Sequence, residues 1–330
     1  MMLIPVDPAA PDPAALAPAA ETLRRGGLVA FPTETVYGLG AHALDPAAVA
    51  RIYAAKGRPG YNPLIVHVAD AAAARALAGA WPAQAQALAD AFWPGPLTLV
   101  LPRHPSVPDS VTAGLPSVAL RVPAHPVAHA LLRAARIPVA APSANRSTEV
   151  SPTTAQHVAR SLGDRVDVIL DGGPCPVGIE STVLSLAGPV PTLLRPGTLS
   201  VDDLRPVIGH VALPSTEPQA TAARPSPGMM DRHYAPRAQL RLFNAPAEVV
   251  SDAAFAPAAA LLLPMDGRAP LPPDIDVMEM PGHPGAYAAR LYSLLHELDD
   301  RGYRRVWVQP PPDAPAWAGV RDRLRRAATG

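Results

Sequence analysis

Through its first 205 residues the chain alternates short apolar runs with alanine-rich stretches of helical spacing, and this alternation restricts the fold more than any other feature. Residues 28–31 read as a strand, following a helix closed by Gly26 and Gly27. Residues 46–55 read as a helix opened by Asp45, with proline in its first turn. Residues 64–68 form an apolar run after Pro63 and read as another strand. Further strands are expected over 97–101, 119–122, 139–141, 166–170, 182–186 and 192–194, and helices over 83–91, 126–135, 153–162 and 201–207. Such alternation specifies an α/β domain.

The pattern stops at 210–238, an aperiodic stretch rich in Pro, Ser, Thr and Ala that reads as a linker. The stretch is also long. Within "SPGMMDRHYAP" it carries Met229, Met230, His233 and Tyr234, side chains that gain from docking, which makes it a candidate lid. Strands are then expected over 240–243, 259–263 and 304–308, with helices over 285–300 and from Trp317. The first of these helices sets Tyr287, Leu291, Leu294, Leu295 and Leu298 on one stripe. A length of 330 residues agrees with two domains. The expected organisation is a catalytic domain over 1–209, a linker and lid over 210–238, and a small α/β domain over 239–330 without a catalytic constellation.

Formal net charge is zero, which removes one argument for non-specific binding to nucleic acid or membrane. With Cys175 alone, no intramolecular disulfide and no cysteine-based zinc site can form. The opening "MMLIPVDPAAPDPAAL" lacks the regions of a signal peptide, and no uncharged apolar run reaches the roughly 18 residues a membrane span needs. A soluble cytoplasmic protein is expected. There is no G-x-x-x-x-G-K-[ST], no G-x-G-x-x-G after a strand and no G-x-S-x-G, so a bound nucleotide would lack the usual phosphate loops.

Among 28 basic residues, one is lysine: Lys56, in "IYAAKGRPGYNPLIVHV". It stands near Arg58, Asn62 and His67, where a helix gives way to a strand. Two neighbouring cations here read either as a solvated basic turn or as an anion site, with a compact ammonium beside a planar fork. His67, inside an apolar run, reads as a structural residue or as a ligand. "FPTETVYGLG" puts Thr33, Glu34 and Thr35 where a βα loop is expected, either to meet a ligand or to bond their own turn. Arg121 lies in a β-like run and, half-buried, requires an anionic partner. Ser143 and Asn145 in "AAPSANRS" end a strand, and Ser151-Pro152-Thr153 reads as a helix N-cap. Ser181 in "GIESTVLSL" and Arg195 in "LLRPG" complete a set of cations and small hydroxyls at strand ends.

The ordered motifs "PTETVYGLG", "KGRPGYNPLIVHV", "LRVPAHP", "APSAN", "SPT", "ESTV", "LLRPG" and "SPGMMDRHYAP" resemble the two-domain threonylcarbamoyl-AMP synthases. The resemblance spans essentially the whole chain. It implies a YrdC-like twisted open mixed sheet with helices and a small Rossmann-like α/β C-terminal domain. It also implies a reaction: L-threonine, bicarbonate and ATP give threonylcarbamoyl-AMP and pyrophosphate. Mg2+ would accompany the ATP, and a separate downstream transferase would pass the group to adenosine in tRNA, which this chain is not expected to bind tightly. Carried over by motif, Thr35, His67, Arg121 and Ser181 would hold threonine. Lys56, Arg58, Asn62, Ser117, Ser143, Asn145, Ser151 and Arg195 would hold ATP, Lys56 and Arg58 would act on its phosphates in catalysis, and Tyr234 would close over them. Where the family often has Ser-Gly after "SAN", this chain has Ser147 and Thr148. Two alternatives belong to other classes: an RNA-binding module, and an enzyme using carbamoyl phosphate. Low aromatic content, 5%, leaves few stacking platforms for the former.

Overall fold

Successive strand residues in the first domain point into two different apolar layers. Val29 and Phe31 join Leu16, Leu23, Val127 and Leu131 on one face, whereas Leu28 and Ala30 join Val49, Ile52, Leu88 and Leu99 on the other. A period of two that is apolar on both sides specifies a sheet covered on both faces. The computed structural model describes residues 1–213, 233–264 and 271–329. Most of the expected lid, including Met229 and Met230, lies outside the described residues.

The first domain contains β1 (Met2–Pro5), β2 (Val29–Phe31), β3 (Gly38–His42), β4 (Ile65–His67), β5 (Leu97–Pro102), β6 (Ser117–Arg121), β7 (Val139–Ala140), β8 (Val168–Asp171), β9 (Thr182–Ser185) and β10 (Thr192–Arg195). Among the described residues these form one mixed ten-stranded sheet, ordered β1-β8-β2-β3-β7-β4-β6-β5-β9-β10. Helices Pro13–Arg24 and Pro126–Ala135 cover one face. Helices Pro46–Lys56, Ala83–Phe92, Ala155–Leu162 and Val201–Ile208 cover the other. The Asp45 cap is present: its side chain accepts from the Ala47 amide at 2.9 Å.

Two local expectations are corrected. The segment 33–37 is not a βα loop, because β3 follows it and pairs antiparallel with β2. Its glycines serve close approach: a Cβ on Gly40 would lie 2.7 Å from Val139 Cγ1 and 2.8 Å from Phe31 Cε1. Ser151 is not a helix cap. The cap of Ala155–Leu162 is Thr154, while the buried Ser151 hydroxyl donates to Glu180 at 2.5 Å. A carboxylate within reach of a buried hydroxyl outcompetes the free amides of a helix end.

The second domain contains β11 (Gln239–Leu242), β12 (Ala258–Leu262), β13 (Ile275–Glu279) and β14 (Arg305–Val308), all parallel, in the order β11-β14-β12-β13. Helices Pro284–Asp300 and Ala318–Ala328 accompany them. The Tyr287–Leu298 stripe is buried as expected. Val36, Val150 and Ile179 of the first domain share one apolar cluster with Leu291, Leu295 and Val320 of the second, so the junction is core rather than contact. Backbones meet there as well. A Cβ on Gly319 would lie 2.4 Å from the Gly197 carbonyl oxygen. Gly319→Ala should therefore force the junction apart and lower Tm by roughly 3–8 °C, as overpacked cores do. A thermal scan with an unchanged midpoint would contradict this packing.

Candidate functional site

Parallel pairing of β4 and β6 sets His67 opposite Arg121 at one edge of the sheet. Thr33 and Thr35 leave β2 at the same edge, Ser143 follows β7, Ser181 precedes β9, and Arg195 ends β10. Together with Arg58 and Tyr234 these side chains line a small cavity of about 50 Å³. Thus Thr35, Arg58, His67, Ser143, Ser181, Arg121, Arg195 and Tyr234 are brought together as the sequence suggested. Lys56, Asn62, Asn145 and Ser151 stand behind the wall, bonded to it or near it. Ser117 opens β6, four residues before Arg121, and does not line the cavity.

The lone lysine ends the helix Pro46–Lys56, and its ammonium donates to two carbonyl oxygens of the loop after β7, Ser143 at 2.6 Å and Asn145. Two acceptors converging on one nitrogen suit a point charge better than a planar fork. Arg58 donates from Nε to the Asn62 carbonyl at 3.1 Å and from Nη2 to the Pro63 carbonyl at 2.9 Å. These bonds satisfy donors without neutralising charge. Burial pushes the Lys56 pKa well below its usual value, with the Arg58 charge adding to the effect. Burial brings Arg58 down to about 10.

Arg121 finds the anion its burial requires in Glu34: Nη2 donates to Glu34 Oε1 at 2.7 Å, Nη1 to Thr35 Oγ1 at 3.0 Å and Nε to the Gly95 carbonyl at 3.2 Å. A guanidinium has five N–H donors, so two remain for a ligand carboxylate. Arg195 donates to the Ser181 carbonyl at 3.0 Å and hydroxyl at 3.1 Å. His67 is neutral: burial, then the Arg121 charge, pushes its pKa to about 3.

Two described linker residues form part of the cavity wall. His233 and Tyr234 line it, and the Ala235 amide donates to the Thr148 carbonyl at 3.0 Å. Both sides of this contact are strained: Tyr234 has φ 61° and Thr148 φ 75°, the latter where the family often has glycine. Among the described residues, His67 Nδ1, Asn145 Oδ1, His233 Nδ1 and the Tyr234 hydroxyl are buried without a hydrogen-bond partner. A cluster of unmet polar atoms around one cavity marks a place for a polar ligand.

Sequence reasoning named Glu34 and His233 without giving either a place among the site residues, and passed over Glu180, Tyr292 and Arg323. Glu180 accepts from Ser151 Oγ, from the Tyr292 hydroxyl at 3.1 Å and from Arg323 Nε at 2.8 Å. Burial raises its pKa, but the charges of Arg323 and Arg195 and the Ser151 hydroxyl outweigh this and hold it down at about 2. Both carboxylates stand inside quoted motifs. The available signal was an acid among residues too apolar to leave it in water.

Burial also holds His157 and His233 at about 3. His157 stacks on His296 across the domain junction, ring centroids 3.8 Å apart. Unfolded, each histidine would titrate near about 6.5. The unfolded chain therefore binds more protons below that value, and stability is lost as pH falls from about 6.5 towards 3. His157→Gln should make the decline shallower by about 1 kcal/mol per pH unit, read from urea midpoints between pH 7 and 5. Equal slopes in the two proteins would contradict a neutral buried His157.

A family model described as telomere recombination, covering Sua5, YciO and YrdC, matches residues 21–197, and the threonylcarbamoyl-AMP synthase C-terminal domain matches residues 199–329. The threonylcarbamoyl-AMP synthase of Bacillus subtilis is 41% identical over 323 residues, 96% of this chain and 93% of that protein. That of Pyrococcus abyssi is 48% identical over 233 residues, 70% of this chain and 68% of the other. The crystal structure of P. abyssi Sua5 complexed with L-threonine superposes with a TM-score of 0.90 at 37% identity, covering 99% of this chain and 98% of that one. With both domains matched in order and the shared fold carrying the cavity at its sheet edge, the chain belongs to the threonylcarbamoyl-AMP synthase family.

Proposed function

We propose that this enzyme makes threonylcarbamoyl-AMP from L-threonine, bicarbonate and ATP at the cavity lined by Arg58, Arg121 and Arg195. One observation carries the siting. Five buried cations, Lys56, Arg58, Arg121, Arg195 and Arg323, outnumber the four carboxylates that act on them, Glu34, Glu149, Glu180 and Asp322, so the site holds an excess of positive charge. Buried charge of one sign calls for a ligand of the other. A nucleoside triphosphate and an amino-acid carboxylate supply it.

In this reading the threonine carboxylate takes the two remaining N–H groups of Arg121. Thr35, Ser181 and the neutral His67 hold the polar atoms around the threonine α-carbon, His67 as a hydrogen-bond partner rather than a cation. The threonine amine attacks the carbon of bicarbonate, water departs, and a carbamate oxygen then attacks the α-phosphorus of ATP, expelling pyrophosphate. No covalent enzyme intermediate is needed, so catalysis is positioning and charge neutralisation. Arg58 and Arg195 face the phosphates with the Lys56 charge behind them, Ser143, Asn145, Asn62 and Ser151 steady the nucleotide, and Ser117, at the far end of β6 from Arg121, would meet only a part of the nucleotide that extends beyond the cavity. Mg·ATP is the natural form of the substrate. Mg2+ bound through phosphates and waters takes at most one or two protein carboxylates, which suits a site whose acids are already engaged.

A cavity of about 50 Å³ is far below the several hundred Å³ of a drug-sized ligand site. Substrates therefore require the His233–Tyr234 segment to withdraw, and Tyr234 closes over them afterwards. This supports the division into a catalytic domain over 1–209, a linker and lid over 210–238, and a second domain over 239–330. The product, a mixed anhydride, is handed to a separate transferase that acts on tRNA.

Lys56→Ala and Arg121→Ala should each reduce pyrophosphate release by at least about 100-fold while the protein stays folded, since each strips a buried charge site of its partner. Mass spectrometry of the product formed from threonine, bicarbonate and ATP is the direct check. Full activity in both variants would remove the site, and absence of the threonylcarbamoyl adenylate would remove the reaction.

A further inference from the structure

Arg323 is the largest side chain buried almost completely in the described residues, and it comes from the second domain. It lies on the helix Ala318–Ala328. Its Nε donates to Glu180 Oε2 at 2.8 Å, Nη2 to the Glu180 carbonyl at 3.3 Å and Nη1 to the Pro196 carbonyl at 2.7 Å. Its guanidinium also stands 5.2 Å from the centroid of the Tyr234 ring. Glu180 precedes Ser181, and Pro196 follows Arg195. One side chain therefore grips the motifs "ESTV", "LLRPG" and "HYAP" at once, and through the Glu180 carboxylate it reaches the Ser151 hydroxyl as well.

We propose that Arg323 is a positioning residue of the synthase site, fixing Glu180 and the Arg195–Pro196 turn so that Ser151 and Arg195 meet the nucleotide in one arrangement. The second domain is on this account a built-in part of the catalytic centre. Its sequence carries no catalytic constellation because its contribution is made through groups of the first domain. A planar fork is required: four acceptors, Glu180 Oε2, the Glu180 carbonyl, the Pro196 carbonyl and Asp322 Oδ2, are bonded from one side chain, one more than the three N–H groups of an ammonium can serve.

The chemistry of Ser151 follows from the same contacts. Its single O–H is committed to Glu180, so towards a ligand it can only accept. It would take a donor, such as a ribose hydroxyl, and not a phosphate oxygen. Glu180 is in turn surrounded by charge. Arg323 and Asp322 face it from one helix, Tyr292 from another, and Arg195 from β10. His233, Tyr234 and Lys56 complete the surroundings.

This role rests on the function proposed above, and the experiment separates the two. Wild-type protein is first assayed for product and for ATP binding by calorimetry. Lack of product defeats the function. ATP bound equally well by wild type and R323M defeats the role of Arg323, whatever the turnover. For folded R323M, kcat/KM for ATP is expected to fall about 30-fold or more, with KM for threonine changed far less. Glu180, left buried without Arg323, should titrate at a higher pH than in the wild type and add an inflection to the acidic side of the pH profile, which the E180Q/R323M protein should lack. Loss of activity with no new inflection would make Arg323 merely structural and overturn the proposal. Were R323M not to fold, R323K decides: it keeps the charge without the fork and should fold with kcat/KM for ATP still reduced about tenfold. Full activity in R323K would overturn the proposal.

Discussion

Positive charge taken out of water must be answered, and much of this molecule is arranged around that requirement. Four cations, Lys56, Arg58, Arg121 and Arg195, are buried at one edge of the central sheet, and Arg323 joins them from the second domain. Glu34 answers Arg121, and Glu180 answers Arg323. Lys56 and Arg58 donate to carbonyl oxygens rather than to a carboxylate, while Glu149 and Glu180 act on Lys56 through space. Arg121 and Arg195 stand on separate strand ends, Lys56 ends a helix and Arg58 lies in the loop after it, so different elements hold the four apart. The fold thereby gathers an excess of buried positive charge around one cavity.

Sequence reasoning found the cations and small hydroxyls because each sits in a short motif at a break between elements. It did not find their acids. A carboxylate beside a phosphate site looks repulsive on paper, and only the three-dimensional pairing shows that Glu34 and Glu180 are spent on arginines. Arg323 was harder still. In "RDRLRRAATG" it is one arginine among several on a helix, and nothing local separates the buried one from its solvated neighbours.

The fold was legible where periodicity was strong. The helix over 126–135 and the stripe on the helix Pro284–Asp300 follow from spacing alone. β3 was hidden because Gly38 and Gly40 imitate a turn, although their small size serves contact with Phe31 and Val139. Ser151 was misread because its surroundings imitate a helix start. In both places a long-range neighbour decides the role of a residue whose local signal points elsewhere.

The backbone contact between Gly197 and Gly319 has an evolutionary corollary. It lets the C-terminal helix approach closely enough for its guanidinium to reach an acid on the opposite domain. A chain reduced to the first domain would leave that acid facing solvent or in need of another counter-charge. Single-domain descendants of such an architecture would have to re-solve this one neutralisation before they could dispense with the rest.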